Sequence, residues 1–359
     1  MSDTTMASEE DRAESIRMIR ESAAAVAPPG NDRKRIRGLR FTEPGYDREI
    51  WQEMGALGWI GLHIAEEAGG AGLGMSEFCA LAEELGAGLV PEPLVAGALS
   101  ARLLAAAGAG DRLEALLSGS SLVLTAWQEG TGGLTVFGTP GAPRRFLPMA
   151  AGADAFLVPV AEAGKIALYW QDAAGADLTL EKTQDGGFYG TLRPAGGTKI
   201  ADDIGAVLAE ALDEAALATA ASLLGIMDRA FAITLDYLKT RQQFGRAIGS
   251  FQVLQHRAAD LKIQIALTRA SLQDAALTLD TPGESAAIKR SVVSRAKSRA
   301  GDAAMLVTRQ AIQLHGGIGY TDEADIGLYL RKAMVLTNQY GTPAAHRKRF
   351  AAEAPEDEA

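Results

Sequence analysis

Apolar positions recur at spacings of three and four through most of the chain, the period of a helix with one buried face. Residues 9–26 carry that period in a charged, alanine-rich stretch that Pro28, Pro29 and Gly30 end. A basic stretch, 33–40, precedes a second helical block from 46 to about 117. There Trp51, Met54, Leu57 and Trp59, then Phe78, Leu81 and Leu85, mark core-facing sides. Between 118 and about 201 the pattern changes. Short runs of β-branched and aromatic residues, 122–125, 156–160, 166–170, 178–180 and 188–192, alternate with Gly, Pro and Asp and predict a small all-β unit. After Asp203 the helical period returns, and 212–240, 251–279 and 285–314 predict long helices, with Pro282 and Gly283 parting the last two. In the first of these, Leu223, Leu224, Ile226, Phe231, Ile233 and Leu235 spread over more than one face, a surplus that predicts a subunit interface.

The order is helical, β, helical, with no internal repeat and no βαβ alternation, which disfavours a Rossmann sheet and a TIM barrel. A length of 359 residues predicts two or three domains. Apolar residues at 47% and charged residues at 22% place the chain among globular proteins. A net charge of −10 opposes binding to nucleic acid or to an anionic membrane surface. Cys79, the one cysteine, has no intrachain partner and sits in an apolar helical pattern, so a buried thiol and a reducing cytoplasm are expected. The polar, acidic N-terminus and the lack of a run of ~20 uncharged apolar residues predict no targeting or spanning segment.

The common catalytic signatures are missing. His63, His256, His315 and His346 lie too far apart in sequence for a zinc motif, and neither a nucleophile elbow nor a Walker loop occurs. The glycines at 69, 70, 72 and 74 do not form GxGxxG, and no strand precedes them. Two segments remain. The stretch 241–252 is a cationic, amide-rich turn between long helices, with Phe244 and glycines that let a flat ligand approach the backbone. The stretch 313–320 closes a helix with Gly316, Gly317 and Gly319, leaving backbone N–H groups for an anionic or amide-bearing ligand. Each is also the composition of an ordinary turn.

In this order and spacing the two segments resemble the acyl-CoA dehydrogenase family, flavoenzymes that oxidise the α,β bond of acyl-CoA thioesters. Asp47 to Trp51, Gly55 to Trp59, Glu66 to Gly70 and Ala82 to Gly86 are similar to the family's helical domain; Arg241 to Gly245, Gln252, Gln313 to Gly319 and Arg331 carry the match further on. The resemblance implies a helical domain over 1–117, a central β-barrel-like domain over 118–202 and a C-terminal four-helix bundle over 203–359. It further implies FAD lying between subunits, an acyl-CoA substrate and an electron-transfer flavoprotein as acceptor. By resemblance Arg241 pairs with the FAD pyrophosphate, Phe244 packs on the cofactor, and Gln252, Gln313, Gly316 and Gly317 hold the nucleotide end. A planar guanidinium suits a diphosphate through bidentate, charge-assisted bonds.

Family chemistry needs a carboxylate to take the α-proton while the β-hydride leaves to the flavin. That base is a glutamate before Gly-Thr, 27 residues after Gln313, or a residue on the long helix 26 before Arg241. The two positions hold Tyr340 and Ala215. Glu214 and Asp213 are neighbours, with Glu214 expected to turn away from a pocket that Ala215 faces; Tyr340 would need a strong local cation to ionise. The β domain departs too, reading Thr125 to Glu129 where the family has Thr-Glu-Pro, and Arg144 to Pro148 in the strand that covers the flavin ring. These departures imply a subunit of a heteromeric dehydrogenase whose sister chain carries the base. A self-sufficient homotetramer with a displaced base and a non-catalytic acyl-CoA-binding scaffold are the alternatives.

Overall fold

The computed structural model describes residues 2–28 and 33–353, so Pro29 and Gly30, expected to end the first helix, lie outside the described residues. Among those described, α1 (Ser2–Ser22), α2 (Lys34–Leu39), α3 (Arg48–Ala56), α4 (Met75–Ala87), α5 (Leu94–Ala106) and α6 (Gly110–Leu117) form the first helical layer. Local chemistry sets their ends. The Asp47 carboxylate accepts from Glu49 N at 2.9 Å and starts α3. A carboxylate from far along the chain, Asp280, accepts from Met75 N at 2.6 Å and Ser76 N at 3.1 Å, capping α4 where its dipole favours negative charge.

Strands follow: β1 (Val123–Thr125), β2 (Arg144–Pro148), β3 (Ala155–Glu162), β4 (Lys165–Asp172), β5 (Asp177–Lys182), β6 (Phe188–Arg193) and β7 (Thr198–Ala201). They make one sheet in the order β1-β3-β4-β7 and a second in the order β2-β6-β5. Pairing is antiparallel apart from the parallel pair β1 and β3. The run from Ala155 to Pro159 in β3 is buried throughout, in a central strand flanked by β1 and β4. β2 and β7 escape the alternation pattern, being rich in Arg, Pro, Lys and Thr, and they exist through pairing with β6 and β4.

The remainder is α7 (Gly205–Thr240), the short strands β8 (Gln242–Gln243) and β9 (Arg246–Ala247), α8 (Gln252–Asp280), α9 (Ala286–His315), α10 (Ile326–Leu336) and α11 (Pro343–Glu353). α7 contains an 18-residue window apolar enough by composition to cross a membrane, but 72% of it is buried inside the fold, as in a core helix, and its uncharged stretch between Glu214 and Asp228 is shorter than a span needs. That burial corrects the reading of four of its six surplus apolar residues, while Ile233 and Leu235 are half-buried. Leu223, Leu224, Ile226 and Phe231 are buried within one chain, since α4, α5, α8, α9 and α10 all pack on α7. The uncovered apolar face lies on α8, where Val253, Ile263, Leu267 and Leu277 are exposed.

α4 and α7 cross at two glycines. A Cβ on Gly225 would sit 1.8 Å from the Glu83 carbonyl oxygen, and one on Gly86 would sit 2.2 Å from the Ser222 carbonyl oxygen. Backbone there touches backbone. Gly225→Ala should therefore force the helices apart and destabilise the fold by about 1–3 kcal/mol, the usual cost of overpacking; an unchanged melting temperature would contradict this contact.

α11 is tied back by buried polar groups. Arg349 Nη1 meets Asp213 on α7 at 2.6 Å, and Arg349 Nε donates to Ser294 Oγ at 2.6 Å. The Ser294 hydroxyl faces His346 Nδ1 at 3.2 Å, and His346 Nε2 donates to the Tyr340 carbonyl at 2.9 Å. Lys297 Nζ donates to the carbonyls of Thr337 at 3.0 Å and Gly341 at 3.1 Å. Burial, with the Lys297 charge beside it, pushes the His346 imidazole down to about 3. The folded chain thus binds one proton fewer than the unfolded chain between about pH 3 and 6.5, so stability falls as pH drops through that window, by up to about 1.4 kcal/mol per pH unit. The difference between native and His346→Gln proteins in urea melts from pH 7.5 to 4 should show that slope; parallel curves would refute the assignment.

Candidate cofactor and substrate site

Both ends of α7 matter for the site. At its C-terminus Arg241 is the last cap residue, its N–H bonded to the Tyr237 carbonyl at 2.9 Å. β8 and β9 follow as a hairpin whose base is closed by Ile248 N donating to the Arg241 carbonyl at 2.9 Å. Arg241 is exposed, Phe244 is 90% exposed at the tip, and Gln252 is the exposed first residue of α8. The end of α9 lies alongside: His315 stacks on Tyr237 with ring centroids 4.5 Å apart. Gly316 and Gly317 emerge there with Gln313 one turn earlier, all three exposed. Gly316 has φ 66°, a conformation glycine adopts without penalty. The structure thus brings the two sequence-predicted segments to one end of the bundle, pointing outward. An exposed guanidinium, an exposed ring and bare glycine backbone fit the diphosphate and nucleotide of FAD.

The other half lies where α5, β1, β2 and the 337–342 turn meet. Leu99, Leu124, Trp127, Phe146, Pro148 and Tyr340 wall a cavity of about 20 Å³ there. This is room for about one water, so a flavin ring system does not fit within it. Tyr340 is buried with φ 53°, a left-handed backbone that the His346 and Lys297 contacts hold in place. Burial pushes its hydroxyl well above the usual phenol range. Pro148 has no N–H to offer a ring heteroatom. The residues of this chain therefore match the nucleotide half of FAD and not the ring half.

A larger cleft of about 90 Å³ adjoins, lined by Ala96 and Leu94 of α5, Thr219 and Ser222 of α7, and Leu336 with Gln339. Among its described lining residues the carboxylates are Glu92 and Asp185, both engaged. Glu92 pairs with Arg35 at 2.7 Å, and Asp185 pairs with Lys332 at 3.2 Å. The cavity beside Tyr340 has none.

The two weak base candidates are also engaged. Ala215 is buried, as a core position on α7 should be. Glu214 turns to the other side, pairing with Arg102 Nε at 3.0 Å and His63 Nε2 at 3.3 Å. Burial raises its pKa, but the hydrogen bonds and charges of His63 and Arg102 win and hold the carboxyl below its ordinary range. Asp213 is raised by burial, against the pull of Arg349. Neither lines the cleft. The Lys332–Asp185 pair and the Trp127 wall escape sequence reading, since no periodicity links residues so far apart.

Comparison with known proteins identifies the family. Residues 10–117 match the family model for the acyl-CoA dehydrogenase N-terminal domain and residues 205–354 that for the acyl-CoA dehydrogenase C-terminal domain. Acyl-CoA dehydrogenase IpdE2 of Mycolicibacterium smegmatis is 32% identical over 94% of this chain and 97% of its own length. IpdE2 of Mycobacterium tuberculosis is 32% identical over 89% and 91%. A variant of the Tcur3481-Tcur3483 steroid ACAD superposes with a TM-score of 0.84 at 28% identity, over 98% of this chain and 99% of that one. The chain belongs to the acyl-CoA dehydrogenase family, FAD-dependent oxidoreductases that desaturate acyl-CoA thioesters.

Proposed function

We propose that this chain is the non-basic subunit of a heteromeric acyl-CoA dehydrogenase, lending its 241–252 hairpin to an FAD whose ring lies in a sister chain that also carries the catalytic carboxylate. The observation that carries this reading is the asymmetry of the site. The nucleotide-binding end is intact and turned outward, while the ring end is filled by Trp127, Phe146 and Tyr340 and holds no free carboxylate.

FAD, when bound, supplies the hydride acceptor. This chain's part is electrostatic and positional. Arg241 would hold the diphosphate by charge-assisted hydrogen bonds, Phe244 would cover the cofactor, and Gln252, Gln313, Gly316 and Gly317 would hold the nucleotide. Tyr340 does not serve as the base: a buried phenol with a raised pKa stays protonated. The uncovered face of α8, with Val253, Ile263, Leu267 and Leu277, supports assembly with other subunits. A two-component name on a steroid relative at 28% identity supports the heteromeric arrangement and a bulky acyl group. An electron-transfer flavoprotein as acceptor and a cytoplasmic location, suited to the buried free thiol of Cys79, complete the proposal.

Arg241→Ala should weaken flavin binding by about tenfold or more without unfolding the protein, since a charge-assisted bidentate contact is lost. Flavin titration of the variant with an unchanged dissociation constant would remove the cofactor assignment.

The missing base has its own test. In the assembled enzyme Tyr340→Phe, Asp213→Asn and Glu214→Gln should each leave turnover within about tenfold, whereas losing a true general base costs 10²–10⁴-fold. The chain purified alone should be colourless and inactive. A yellow, active homotetramer, or abolished α-proton exchange in Glu214→Gln alone, would make it a self-sufficient enzyme instead.

A further inference from the structure

The hairpin that presents Arg241 is closed by a two-residue turn in which Phe244 has φ 54° and Gly245 φ 77°. Two consecutive left-handed residues are the signature of a type I′ turn, a shape carried cheaply by Asn-Gly and poorly by a bulky aromatic. Phe244 is also 90% exposed, so neither burial nor turn preference explains it. An observed outlier of this kind persists only where its surroundings over-determine it.

Those surroundings centre on Phe251. The Phe244 ring meets the Phe251 ring edge to face, with centroids 6.1 Å apart and planes at 86°. The Arg246 guanidinium lies over the same Phe251 ring, 4.1 Å from its centroid. Phe251 is itself fixed, since its N–H donates to the Ile248 carbonyl at 3.1 Å and its carbonyl accepts from Leu254 N at 3.0 Å. The intervening turn is braced by Ser250 Oγ donating to the Ala247 carbonyl at 2.7 Å and Gln255 Nε2 donating to the Gly249 carbonyl at 2.9 Å. Gly249 lets the turn lie against α7, where a Cβ would come within 2.9 Å of the Leu238 carbonyl oxygen. Two residues of an exposed hairpin are thus pinned to one ring at the start of α8.

We infer that Phe251, with Arg246 stacked on it, is a positioning residue that holds Phe244 and the Arg241 hairpin in ligand-receiving shape before FAD arrives. The inference rests on the reading of Arg241 and Phe244 as cofactor contacts. Its physical content is preorganisation: ordering an exposed hairpin at folding removes that entropy loss from the binding step. Aromatic edge-to-face and cation–π contacts suit the task because they survive in water, where an exposed ion pair contributes little.

The test compares Phe251→Leu, which keeps apolar bulk and loses the π face, with Phe251→Tyr, which keeps the ring. Two readouts are used: hydrogen exchange of the 242–248 amides in the flavin-free protein, and the FAD dissociation constant of the enzyme, assembled with its partner chain where binding requires one. Phe251→Leu should speed hairpin exchange and weaken FAD, each by about threefold to tenfold, and Phe251→Tyr should match the native protein in both. Phe244→Gly should relieve the backbone strain, keeping or raising the melting temperature, while weakening FAD. Native-like exchange in Phe251→Leu, or a loosened hairpin with unchanged FAD affinity, overturns the positioning role. If Arg241→Ala leaves FAD binding unchanged while Phe251→Leu still loosens the hairpin, the cofactor reading fails and the brace stands only as a structural feature.

Discussion

The contact on which the rest depends is the glycine crossing of α4 and α7. Gly86 and Gly225 let two backbones touch, and that contact sets the rotation of α7 about its own axis. A helix of 36 residues is about 54 Å long, so one rotational setting governs both of its working ends. Near its start Asp213 is sent to Arg349 and Glu214 to Arg102 while Ala215 stays in the core; at its finish Arg241 turns outward into the hairpin. The buried Glu83 beside the crossing reinforces the setting, since it holds Arg20 of α1 and Arg269 of α8, each at 2.6 Å. Removing one partner of such a network leaves a buried charge uncompensated, which makes the crossing costly to change.

On the proposed reading the two halves of the cofactor site rest on different supports. The nucleotide end depends on groups that face solvent in a single chain, so it keeps its shape through local devices: a hairpin, a turn of three glycines and a histidine stacked on a tyrosine. The ring end depends on empty space between α5, the β sheets and the 337–342 turn, and empty space is unstable unless something occupies it. Here side chains occupy it. The chain's overall negative charge gives no hint of the cationic hairpin, because the field a diphosphate meets is set by the guanidiniums within a few ångströms rather than by the sum over the molecule.

Much of this was legible in the sequence, and the limits have physical causes. Long helices and the strands of β3 and β4 follow from periodicity because each buries one face or both faces in a regular way. β2 and β7 were not visible as strands by pattern, since Arg144, Arg145, Thr198 and Lys199 take extended form only through their partners. Most of the apolar surplus on α7 proved to be core rather than free surface, because a sequence shows how many faces are apolar and not how many neighbours cover them. Family spacing pointed to Tyr340 and Ala215 as the expected base positions, while the small cavity beside Tyr340 required knowing that Trp127 and Phe146 meet it from segments far apart in sequence.

The base, the ring contacts and the room for the ring form one unit rather than three independent losses. A glutamate placed alone at position 340 would enter a cavity walled by Leu99, Leu124, Trp127 and Phe146, with the Lys297 ammonium already committed to backbone carbonyls. Burial favours its protonated form, against the pull of Arg145, an exposed residue that also lines the cavity. The volume released by removing the tyrosine ring would still not admit a flavin while Phe146 and Pro148 keep their places, and a general base acts only when its geometry to the reacting atom is held to a fraction of an ångström. On the proposed reading, loss of the carboxylate relaxes every constraint on the ring cavity at once, while the exposed hairpin, reaching across a subunit boundary, stays under the constraint of the cofactor it would meet.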